Sequence, residues 1–178
     1  MRINQLVWQH GALAALISFI ISLVAYIMGV EMLVGWPIGV AQSLLIIITM
    51  IVVSRSIRED EDGIINFLRL FGHIMISVVC ILFASLLFNL LLFNVIDPEL
   101  IDSVVDITLE RVEGMMKSFG VEGDLLQETL DETEFEIRKG YTPGGALISL
   151  IFASAFWGLI ALIIAAIFKR NPENKINF

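Results

Sequence analysis

The chain has 178 residues, is 57% hydrophobic and only 17% charged, and carries a net charge of −8 with a mean hydropathy of +0.87. A water-soluble domain holds about 25% charged residues, so the composition excludes an ordinary soluble domain. The acidity argues against nucleic acid as a partner, and a lone cysteine, Cys80, excludes an internal disulfide.

Four charge-free apolar runs follow one another: Gly11 to Val30, Val34 to Val53, Ile74 to Ile96 and Ala146 to Phe168. At about 1.5 Å per residue, a run of ~20 residues covers the ~30 Å of one bilayer core. A charge at the centre of such a helix costs about 2.5–3.5 kcal/mol on the insertion scale, and none is present. The fold class expected is an all-α membrane protein with four transmembrane helices in a single domain over 1–178, with the lipid bilayer as its first partner. The first run exceeds the usual apolar core of a signal peptide, and no small-x-small cleavage pattern follows it, so it reads as a retained span.

Small residues recur along the first run at Gly11, Ala14, Ser18, Ser22, Ala25 and Gly29, in steps of 3, 4, 4, 3 and 4. That spacing is one helical face, of the kind that lets helix backbones approach in lipid. Gly35, Gly39 and Ser43 in the second run and Ser154, Gly158, Ala161 and Ala165 in the fourth repeat it. Ordinary helix packing is the favoured explanation, and a substrate lining is the alternative. Polar groups at depth are few: Gln42, Ser43 and Thr49 in the second run and Asn89 in the third. No ionisable residue falls mid-span. Glu31 comes nearest, at the end of the first run, and reads as an interfacial carboxylate. His10 and His73 flank span ends. Trp36 and Trp157 fit either interface anchoring or packing.

Between the second and third runs, "EDED" and Gly63 form a polar turn, and "IINFLRLFGH" reads as an interfacial stretch. Its apolar side is Phe67, Leu70 and Phe71, and Arg69 reaches for head groups. Between the third and fourth runs, residues 97–145 hold thirteen Asp and Glu against four Lys and Arg, a net −9 in a chain whose total is −8. Asp97 as cap, Pro98 and Glu99 predict a helix start. Ile101, Val105, Val112, Met115, Met116 and Phe119 give a helical stripe, stopped at Gly120. A second helix is predicted from Asp124 to Arg138, with Leu126, Leu130, Phe135 and Ile137 apolar. The extramembrane helical segment thus spans 97–141. Asp102, Asp106, Glu110 and Glu113 share one edge of its first helix, which reads as a solvated face rather than a Ca²⁺ site. Thr142 as cap, Pro143 at the first position and Gly144 then open the last helix. A phosphate loop would need a lysine and a hydroxyl there, and neither follows.

Lys and Arg near span ends set orientation. Arg2, Arg55, Arg58, Arg69, Lys169, Arg170 and Lys175 fall on one side, with Arg111, Lys117, Arg138 and Lys139 on the other. The expectation is a bacterial cytoplasmic (inner) membrane protein with both termini inside and the acidic segment outside.

The order of Gly11, of Gly63, Phe67 and Gly72, of Asp97-Pro98, of Thr142-Pro143-Gly144, and of Gly158 with "LIIAAIFKRNPE" resembles an uncharacterised bacterial membrane family, the domain of unknown function 4199. The resemblance covers nearly the full length; Gly145 departs from its pattern. It implies a four-span membrane protein with an acidic insertion before the last helix, and it brings no catalytic, cofactor or binding residue.

There is no nucleophile elbow, HExxH, CxxC or GxxxxGK[ST], and so no catalytic, cofactor or metal residue to name. The reading is a non-enzymatic membrane assembly or interaction protein, meeting a second copy or another membrane protein. A small oligomeric transporter or channel, lined by Glu31, Gln42 and Asn89, is the alternative. A lipid-modifying or cation-sensing role rests only on the carboxylate edge.

Overall fold

The computed structural model describes residues 2–60 and 65–169. Glu61, Asp62 and Gly63 of the polar turn and Arg170 and Lys175 of the tail lie outside the described residues, as does the side chain of Arg2.

The described chain is helical: α1 (Arg2–Met28), α2 (Val30–Leu33), α3 (Trp36–Asp60), α4 (Phe67–Leu91), a π-helical extension (Leu92–Ile96), α5 (Leu100–Ser118), α6 (Asp124–Gly140) and α7 (Pro143–Phe168). Among the described residues, four helices are long and apolar enough to cross a membrane: Val7–Met28, Trp36–Asp60, Phe67–Ile96 and Pro143–Phe168. Each runs past its charge-free run at one end, because helical propensity does not stop where hydrocarbon does, while α1 stops at Met28 and α3 starts at Trp36, each two residues short of the expected bound. α3 continues through Arg55 and Arg58, and the stretch read as interfacial is the first turns of α4. There the Asn66 side chain caps the Leu68 N–H, Leu70 is fully buried, and Phe67 and Phe71 stack at 6.4 Å.

α4 packs on α1, α3 and α7, and α3 packs on α1, α4 and α7. On α1 the small-residue face is the buried one: Gly11, Ala14, Ser18, Ser22 and Ala25 are all inside. Helices in lipid gain little from apolar burial alone, so close backbone approach is the main attraction. At Gly11, an added Cβ would lie 3.3 Å from Ser77 Cα and 3.4 Å from Cys80 Sγ. Ala161 and Ala165 of α7 are likewise buried. The pattern fails on α3. Gly39 is exposed, with nothing within 4 Å of an added Cβ, so this stretch faces outward. The outward faces are apolar on all four helices, as at Leu16, Ile48, Phe83 and Phe152, which suits a lipid surround. Trp36 is 79% exposed at the start of α3, an anchor position, whereas Trp157 is buried packing.

Two apolar clusters divide the interior. One lies toward the end of the bundle that carries Arg55, Arg69 and Lys169, and contains Met50, Ile57, Leu70, Ile74, Ile81 and Ala161. The other joins Phe88, Leu92 and Phe93 to Leu100 and Val104 of α5. The second cluster fastens the α5–α6 pair over the opposite end, here called the cap end.

Asp97 does not cap α5. Its backbone is neither helical nor extended (φ −144°, ψ 73°), and the helix starts at Leu100 after a turn. The Tyr26 hydroxyl donates to Asp97 Oδ2 at 3.3 Å, so the carboxylate ties α1 to the cap instead. α5 ends as expected. Gly120 has φ +78°, its N–H donates to Lys117 O, and the Val121 N–H donates to Met116 O, a Schellman closure. α6 runs to Gly140, two residues past the predicted Arg138. The apolar stripe is buried only near the bundle: Val105 is inside, while Met115, Phe119 and Phe135 are exposed.

Candidate functional site

The cap end holds a cavity of about 560 Å³ between α4, α5, α6 and α7. Its walls are apolar, with Leu33, Leu82, Leu86, Leu90, Val104, Ile137 and Leu150 among them. Its polar groups are Ser85 and Asn89 of α4, Ser149 of α7, and Thr108, Glu136 and Tyr141 at the rim. The volume falls in the range of about 300–1,000 Å³ typical of small-molecule sites.

Ser85 links this cavity to a polar layer inside the bundle. The Ser18 and Ser85 hydroxyls are 3.0 Å apart. Ser18 Oγ also donates to Gln42 Oε1 at 2.9 Å. The Gln42 amide nitrogen donates to Ser18 O and to Ser22 Oγ, both at 3.1 Å. Three helices therefore meet through one carboxamide and three hydroxyls, between the two apolar clusters. Two other hydroxyls at depth are closed within their own helix. Thr49 donates to Leu45 O at 2.8 Å and Ser54 to Met50 O at 2.7 Å, the i−4 back-bond of a hydroxyl in a helix. Among the described residues, no buried side-chain nitrogen or oxygen lacks a partner.

Of the expected polar lining, Asn89 reaches the cavity, Gln42 stands in the adjoining layer, and Glu31 is exposed in the first turn of α2. Thr142 caps α7: its Oγ1 accepts from the Gly145 N–H at 3.1 Å and donates to Lys139 O at 2.6 Å. Pro143 is the first residue of the helix. Gly144 has open space around it, whereas Gly145 is buried against the α6 terminus. Gly158 lies against the end of Met75, with Cε and Sδ 3.8 Å from an added Cβ, an ordinary contact.

Sequence reasoning missed Ser85, Ser149 and Tyr141 as lining residues. The available signal was Ser85 and Asn89 at i and i+4, which places both on one face of α4.

The cap is tied down by polar contacts. Arg111 Nη1 donates to Val34 O at 2.9 Å, and Asn94 Nδ2 donates to Tyr141 O at 3.2 Å. Arg138 bridges Glu134 of α6 and Asp102 of α5, each at 2.8 Å. The Glu134 hydrogen bond, then that of Asp102, pushes its guanidinium above its ordinary value. Glu113 does the same to Lys117. These pairs are exposed, so solvent screening leaves each with little weight in stability. Two members of the expected carboxylate edge, Asp102 and Glu113, are thus occupied by cationic side chains. Among the described residues, no group of three or more His, Cys, Asp or Glu is placed to hold a metal ion. The Tyr141 ring lies 4.0 Å from that of Phe93, and burial raises its phenol above the ordinary value.

Comparison with curated proteins and with solved structures finds no match. Residues 9–170 match the family described as Protein of unknown function (DUF4199), and the chain belongs to that family.

Proposed function

We propose that the chain is a multi-pass protein of a bacterial cytoplasmic membrane that acts by contact rather than catalysis, its acidic α5–α6 pair meeting a second copy or another membrane protein outside the cell. The observation that carries this is the far half of the cap. Met115, Phe119, Leu125 and Phe135 are each more than half exposed, on helices that are otherwise acidic. Apolar groups in such a setting favour a protein contact. Orientation is supported by Arg55, Arg58, Arg69 and Lys169, which gather at the end opposite the cap, as the positive-inside rule expects of a cytoplasmic end. Cross-linking in intact membranes tests the reading. Recovery of a dimer or a partner, reduced by a Phe119→Asp and Phe135→Asp double substitution, supports it; monomer alone overturns it.

A second reading, a small oligomeric transporter or channel, is favoured by the chain of polar groups from Asn89 through Ser85 and Ser18 to Gln42. Below that layer Met50, Ile57, Ile74 and Ile81 are fully buried, so passage requires a second conformation. Vesicles containing the protein that leak no faster than empty ones, for ions and small polar solutes alike, would sink this reading.

A further inference from the structure

The cavity at the cap end combines long apolar walls, unpartnered polar side chains at membrane depth, and a charged rim. Asn89 and Ser149 face it from α4 and α7, and neither has a hydrogen-bond partner among the described residues. A carboxamide and a hydroxyl inside a bilayer need partners, since hydrocarbon offers none. Their depth says what could supply them. Helix α4 with its extension has 30 residues, about 45 Å at ~1.5 Å each, against a hydrocarbon core of ~30 Å. Its two ends therefore project about 7 Å beyond the core if it is centred. Asn89 lies about 10 Å below the cap end of this helix, and Ser149 about 9 Å inside the start of α7. Both fall just within the hydrocarbon boundary, at the level of the ester carbonyls and first methylenes of a glycerolipid.

The rim adds a second selection. Glu136 lines the cavity, and Lys139 Nζ is 2.8 Å from Glu136 Oε1. A carboxylate and an ammonium side by side complement a head group that carries both signs. The surrounding segment has a net charge of −9, which repels an anionic one.

We propose that the cavity holds a membrane glycerolipid with a zwitterionic, amine-bearing head group. One acyl chain lies along the apolar walls, Asn89 and Ser149 donate to the ester oxygens, and Glu136 meets the ammonium. This goes beyond a role in protein contact and stands or falls separately from it, since lipid retention and cross-linking are read independently.

The test is native mass spectrometry of the full-length protein, stripped of lipid in detergent and supplied with dioleoyl phosphatidylethanolamine or dioleoyl phosphatidylglycerol. The expected result is one retained phosphatidylethanolamine per chain in preference to phosphatidylglycerol. An Asn89→Leu and Ser149→Ala double substitution should lower retention about tenfold, the size expected of two interhelical-strength hydrogen bonds in lipid. Ala153→Phe, which fills the cavity wall, should lower it as well. Equal retention of the two lipids by the unaltered chain overturns the proposal, whether or not the variants fold. So does undiminished retention by folded variants.

Discussion

The α-hydrogen of Gly145 that a side chain would replace points at the carbonyl oxygen of Lys139, leaving no room for a side chain between the last turn of α6 and the first turn of α7. The Thr142 hydroxyl holds the same corner together by bonding to both residues. A Cβ at Gly145 would collide with main chain, which cannot rotate away. Gly145→Ala should therefore destabilise the protein by about 1–3 kcal/mol, the usual cost of overpacking. Gly144→Ala should change little, because nothing lies within 4 Å of its position. Thermal unfolding of both variants in detergent compares them directly, and equal melting temperatures would show that the corner relaxes.

Gln42 offers a different contrast. Gln42→Leu removes bonds that cross from α3 to α1, and should cost about 0.6–2 kcal/mol. Thr49→Val removes only a bond to its own helix at Leu45, and should cost less. Unfolding by a denaturing detergent gives both values. A Thr49 effect as large as that of Gln42 would remove the interhelical layer as a source of stability.

Tyr141 predicts a pH effect with a definite sign. The folded chain holds the phenolic proton more tightly than the unfolded chain, because burial disfavours the phenolate. The stabilisation is complete below the ordinary tyrosine value of about 10 and declines as pH climbs from there toward the raised folded value. The chain has two tyrosines, so Tyr26→Phe isolates Tyr141. Its phenolate absorbance in the folded protein should rise at higher pH than in denaturant; coincident curves would mean the ring is solvated.

Orientation can be read at Ser118, at the end of α5. A Ser118→Cys substitution in a Cys80→Ser background should react with an impermeant maleimide added outside intact cells. Reaction only after lysis would invert the assignment of the cap.

The four apolar helices were legible because charge-free runs of that length have few other fates. The buried face of α1 was legible for a related reason: in lipid, a stripe of small residues marks where backbones meet. The same stripe misled at Gly39, where no neighbour approaches, because spacing describes one helix and says nothing of the next. Asp97 carried every local mark of a helix cap, yet a tyrosine from α1 took its carboxylate. Gly144 and Gly145 look alike in sequence, and only the path of α6 decides which one touches it. Ser85 was invisible for the plainest reason, since a serine in an apolar run gains meaning only from Ser18, 67 residues away.

The layer formed by Ser18, Ser22, Gln42 and Ser85 has a consequence for assembly of the helices. Apolar surfaces sliding along one another in lipid lose little, so α1, α3 and α4 would otherwise tolerate several axial offsets. A slip of α1 by one turn, about 5.4 Å, would carry its hydroxyls past Gln42 and leave the carboxamide facing methyl groups. The layer therefore works as a detent: it selects one vertical alignment of the three helices, and with it the height at which Tyr26 meets Asp97.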